Sequence, residues 1–113
     1  MGKAEREKGK RGEREVARML RLLGFDSHRS QQYCGKTGDA DDVVGVDGYH
    51  IEVKRREKLS IMEWVRQTER DCNSEDIPVV VFRQNGEPWR VVLDAIDFFS
   101  LVKEVQDAVH KEL

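Results

Sequence analysis

The run Val79-Val80-Val81-Phe82, inside Ile77–Arg83, is the densest apolar stretch in a chain of which 37% is charged. Consecutive side chains of a strand project to opposite faces, so four apolar neighbours require cover on both sides, the position of a central buried strand. Other segments supply the rest of the layers. Asp42–Gly45 and Tyr49–Arg55 read as strands around the turn signal Asp47-Gly48, Trp89–Leu93 as a strand after Asn85-Gly86, and Phe25–Arg29 as a short strand. A helix reads from about Lys10 to Leu23, with Val16, Ala17, Leu20 and Leu23 on one stripe and Gly24 as its stop. Ser60 and Glu63 form a capping box that opens a helix over Ile61–Cys72. Asp94 and Asp97 open a last amphipathic helix through Ile96, Phe99, Val102, Val105 and Val109. The order α-β-β-β-α-β-β-α predicts an α/β sandwich on a mixed sheet.

At 113 residues the chain suits one domain with one modest core, and residues 1–9, without apolar periodicity, read as a flexible basic arm. No run of apolar residues approaches a membrane span or a signal peptide, and two cysteines with no Cys-x-x-Cys pattern argue against structural zinc. An intracellular, cytoplasmic protein with reduced thiols is expected. The net charge of -2 hides a polarity: residues 1–29 hold nine Lys or Arg against five acids, and the remainder is acidic. Such a molecule can dock a polyanion through a basic face while keeping acids for other work.

The acids of interest lie on the strand hairpin. In Tyr49-His50-Ile51-Glu52-Val53-Lys54, Ile51 and Val53 enter the core while Glu52 and Lys54 share the other face. A two-residue Asp47-Gly48 loop would pair Asp42 with Val53. A three-residue Val46-Asp47-Gly48 loop with Gly48 left-handed would pair Asp42 with Glu52. Only the second register aligns the acids, and two directly opposed carboxylates repel unless a cation lies between them. A hard divalent metal, Mg²⁺ with Mn²⁺ as a substitute, takes such oxygen donors. Phosphodiester hydrolysis needs a more acidic water and stabilised negative charge on phosphoryl oxygens. Lys54 can orient the water or neutralise that charge. Glu13, one turn before Val16 and Ala17, ends a buried stripe where a carboxylate is unexpected, whereas Glu15 points away. His50 shares the Glu52 face and reads as an exposed strand histidine; Trp64 and Trp89 read as core or interface; Cys34 lies in the polar loop with no implied partner.

These residues resemble the PD-(D/E)xK nuclease superfamily, and within it the Holliday-junction resolvase-like endonucleases of archaea and phages. The resemblance spans most of the chain and rests on G-K-R-G-E-R-E at 9–15, D-D-V-V at 41–44, I-E-V-K at 51–54 and Gln67. It implies a restriction-endonuclease-like core, Asp42 and Glu52 as metal ligands, Lys54 as the catalytic lysine, Glu13 as the helix acid completing the site, in this superfamily often through a metal-bound water, and Gln67 as a supporting glutamine. The proline usual before the first aspartate is replaced by Asp41; Asp42 is chosen because it precedes Val43-Val44 and meets Glu52 in register.

The reading is thus a Mg²⁺-dependent, structure-selective DNA endonuclease, phage-encoded or of prophage origin. Lys10, Arg11, Arg14, Arg29, Arg55 and Arg56 are its candidate phosphate contacts. Resolving a branched junction takes two symmetric nicks, which predicts a homodimer, and the apolar cluster Phe98, Phe99, Leu101, Val102 exceeds what one helix stripe buries. The alternatives are a general, restriction or repair nuclease of the same fold, and a non-catalytic DNA-binding module, which would have no use for acids facing a phosphate backbone.

Overall fold

A computed structural model describes residues 2–30 and 42–112, with the side chains of residues 42 and 112 outside that description. The elements are α1 (Lys3–Leu22), β1 (His28–Arg29), β2 (Asp42–Val44), β3 (Tyr49–Arg55), α2 (Ile61–Asp71), β4 (Ile77–Arg83), β5 (Arg90–Val92) and α3 (Ala95–Glu112). This is the expected order, and the mixed sheet with flanking helices is consistent with the restriction-endonuclease-like core. The five strands lie in the order β1-β2-β3-β4-β5. Only β3 and β4 run parallel, because α2 carries the chain back between them; the other neighbours are antiparallel.

The parity of β3 and β4 divides the core. Ile51, Val53, Val79 and Val81 pack with Val43 against Val16 and Ala17 of α1. Val80 and Phe82 point the other way and pack with Trp64 of α2, whose ring lies 6.1 Å from that of Phe82. The apolar run of β4 is therefore covered on both faces, as its composition requires. Helix α1 comes close to the sheet at Gly12, where a β-carbon would stand 3.0 Å from Arg55 Cβ and 3.4 Å from Trp89 Cη2.

The turn before β3 is the three-residue form. Gly48 has φ +85, and Tyr49 N donates to Val46 O at 3.2 Å. Gly45 is more constrained: its φ is +108 and an added β-carbon would collide with the backbone of Asp26 and Ser27. The segment before β1 is therefore pressed against the hairpin, and Ser27, buried, donates its hydroxyl to Val44 O at 2.8 Å.

Three expectations are corrected. Helix α1 starts at Lys3, so residues 3–9, read as an arm, are helical. Strand β1 is confined to His28–Arg29, and Phe25 is exposed. Ser60 occupies the N-cap of α2 with φ -135 and ψ 58 and makes no side-chain capping bond, so the capping box does not form. Asp94 does cap α3, its Oδ1 accepting from the amides of Ile96 at 2.9 Å and Asp97 at 3.2 Å.

Candidate active site

Backbone pairing decides which acids meet. Strand β2 joins β3 with Asp42 across from Glu52 and Val43 across from Ile51, the register of the three-residue loop. Asp41 lies outside the described residues, as does Cys34. In the parallel pairing of β3 with β4, Glu52 lies beside Val80 and Lys54 beside Phe82. Alternation therefore sets Glu52 and Lys54 on the face that α2 covers, away from Ile51 and Val53.

Glu52 is 3% exposed and Lys54 4%. Their charged ends approach to 3.5 Å, Lys54 Nζ to Glu52 Oε1. On the other side of the same carboxylate, His50 Nε2 lies 3.7 Å from Glu52 Oε2. Charges are costly to bury without partners, so this row along one strand is held together by its own pairing. A carboxylate and an ammonium this deeply buried on one strand are a functional-site signal, because packing alone would favour apolar residues there.

The second group lies at α1. Glu13 is 2% exposed, and Arg29 Nε donates to its Oε1 at 3.0 Å. Helix α1 brings Glu13 to the buried side one turn before Val16, and β1 brings Arg29 to it from across the sheet edge. Among the described contacts, Glu13 is thus paired with Arg29, and Glu52 with Lys54 and His50. Gln67 is half-buried on α2, between the inward-facing Trp64 and Thr68.

The basic residues expected to meet phosphate divide. Lys10, Arg11 and Arg14 are exposed on α1. Arg29 is engaged with Glu13, and Arg55 Nη1 lies 3.5 Å from Glu15 Oε1. Arg56, half-buried, donates from Nη1 to Arg55 O at 3.1 Å.

Two features differ from the sequence reading. His50 is not an exposed strand histidine: its side chain is 18% exposed and stands in the Glu52 group. Its parity with Glu52 was the available signal. Glu15 does not point away, since it binds both Arg55 and Arg83, the latter at 3.2 Å, and ties α1 to the ends of β3 and β4. The Arg83 guanidinium also lies 6.0 Å from the centre of the Trp89 ring. Trp64 is buried in the core and Trp89 packs half-buried against the α1 side, as expected.

Among the described residues no three His, Cys, Asp or Glu side chains gather as a metal-holding group; the side chain of Asp42, the expected second ligand, lies outside them. No described helix is long and apolar enough to cross a membrane. The family model described as "Phage putative PDDEXK endonuclease" matches residues 4–112. No curated protein matches the chain.

Proposed function

The chain belongs to this PDDEXK endonuclease family of phages, and on that premise we propose that it is a divalent-metal-dependent endonuclease selective for branched DNA, a Holliday-junction resolvase-like enzyme of DNA recombination acting as a homodimer. The observation that carries the reading is the pairing of Asp42 with Glu52 across β2 and β3, with Lys54 buried 3.5 Å from the Glu52 carboxylate. PD-(D/E)xK nucleases generally use divalent metals. The donor set fits one: paired carboxylates are the hard oxygen ligands that Mg²⁺ or Mn²⁺ accepts, and Asp42 and Glu52 would hold it. When bound, the ion supplies a more acidic water and neutralises phosphoryl charge.

The chain's own residues do the rest. Lys54 on one side and His50 on the other hold the Glu52 carboxylate in place. Lys54 presents a fixed ammonium to phosphoryl oxygens that gain charge as the bond breaks. Glu13, supported by Arg29, adds a buried carboxylate from α1, and Gln67 supports the site from α2. Lys10, Arg11 and Arg14 supply exposed charge along one helix for a sequence-independent grip on the phosphate backbone, with Arg56 beside the strand end.

Labelled four-way junction, flap, duplex and single-stranded DNA incubated with Mg²⁺, Mn²⁺, Ca²⁺ or EDTA test this directly. Junctions should be cut with paired nicks in Mg²⁺ and Mn²⁺, and not in EDTA. Equal cutting of linear and branched DNA would favour a general nuclease of the same fold, and cutting in EDTA would end the metal mechanism.

A further inference from the structure

Helix α3 stands apart from the body it follows. None of its described side chains joins either core cluster, and Phe99 is 65% exposed, Val105 62% and Val109 54%. Its pattern is nonetheless that of a packed helix. Phe98, Val102, Val105 and Val109 recur at spacings of four, three and four, the seam of a coiled coil. The flanking positions Phe99, Leu101, Gln106 and Ala108 carry no charge, while Asp97, Lys103, Glu104, Asp107 and Lys111 occupy the far side.

Beside the first half of this helix lies an apolar groove of about 990 Å³, floored by Ile51, Val79 and Val81 and roofed by Phe98, Phe99 and Leu101. Protein interiors leave few voids larger than a water molecule, so a groove of this size belongs to a surface awaiting cover. The groove adjoins the start of α3, and the bare valines lie at its end.

We infer that this surface is covered by α3 of a second copy, the two helices crossing antiparallel about a two-fold axis. An antiparallel pair sets Phe98 of each chain against Val109 of the other and brings each bare C-terminal seam to the other's groove. A parallel pair would oppose groove to groove and leave both empty. The two-fold makes the contact self-complementary and closed. Half the circumference of an 18-residue helix offers about 450 Å²; with the exposed groove wall beside it, the patch approaches the roughly 600 Å² per partner at the lower end of stable complexes. The inference supplies an interface for the dimer proposed above, but its readout is mass and cross-linking, so it can fail while the nuclease reading stands.

Sedimentation at 50 μM (a chosen test concentration, about 10-fold or more above a micromolar Kd) should give twice the chain mass. The double variant Val105→Asp/Val109→Asp, altered only at exposed positions, should sediment as a folded monomer with an unchanged circular dichroism spectrum. In a Cys34→Ser/Cys72→Ser background, Phe98→Cys and Val109→Cys chains should form disulfide-linked pairs when mixed and not when oxidised separately. Cross-linking within either variant alone would show a parallel pair and overturn the assignment, and so would a dimer that survives the double substitution. A wild-type monomer whose α3 amides are protected only on adding DNA or phospholipid vesicles would give the seam to another occupant.

Discussion

Helices α1 and α3 are both amphipathic and both flank the same sheet, yet only one is bound to it. Helix α1 is densely charged and has few apolar residues, but Val16 is wholly buried, Ala17 is 2% exposed, and Gly12 lets the backbone close on Arg55 and Trp89. Glu15 then fastens it through Arg55 and Arg83. Helix α3 is the more apolar of the two and leaves Phe99 and Val105 largely in solvent. Apolar content therefore does not decide which helix belongs to the core. Close approach and fitted ion pairs do, and a surplus of apolar surface on the looser helix points outward to a partner.

Substitutions should separate the two helices sharply. The largest effect is expected for Val16→Asp, which puts an unpaired carboxylate into the α1 core and should cost about 4 kcal/mol or more in urea unfolding. The same change at Val109 should leave the folded monomer's stability within about 0.5 kcal/mol. Equal losses at the two sites would break the comparison. Gly12→Val comes next: the new side chain meets Arg55 and Trp89, and pushing α1 off the sheet should cost about 1–3 kcal/mol. Glu15→Ala should cost about 1 kcal/mol or less, because the carboxylate is partly in water.

The smallest effect is a titration. Tyr49 is raised above the ordinary phenol value by burial first and then by Glu104 and Asp97 of α3. A raised acid contributes stability that is complete below its unfolded pKa and is lost as pH rises through the folded one, so Tyr49 ionisation should destabilise the fold only in strongly alkaline solution. Absorbance titration of the wild type against Tyr49→Phe should locate the step. Glu104→Gln should move it back toward the ordinary value, which measures how near α3 stands to the sheet.

Much of this was legible in the sequence where local chemistry is decisive. The turn allowed two registers, and the structure has the one in which Gly48 is left-handed in a three-residue loop and Asp42 meets Glu52. The parity of β3 gave the shared face of Glu52 and Lys54. What was missed depends on propensity or on distant chain. Residues 3–9 have no apolar stripe, but lysines, arginines and glutamates are good helix formers, and pairs such as Glu7–Lys10 at 3.8 Å support a helix that periodicity cannot see. The partnership of Glu15 with Arg83 joins residues 68 positions apart, and nothing local announces it. The burial of His50 likewise depends on what the rest of the fold lays over that strand.

The register makes a claim that one pair of conservative variants tests. Asp42 stands opposite Glu52. Single-turnover cleavage of a labelled four-way junction in Mg²⁺ should fall on the order of 100-fold or more for Asp42→Asn, while Asp41→Asn should cut within a few-fold of the wild type. Full activity in Asp42→Asn, or a loss confined to Asp41→Asn, would contradict the assignment of the active site to the Asp42–Glu52 pair.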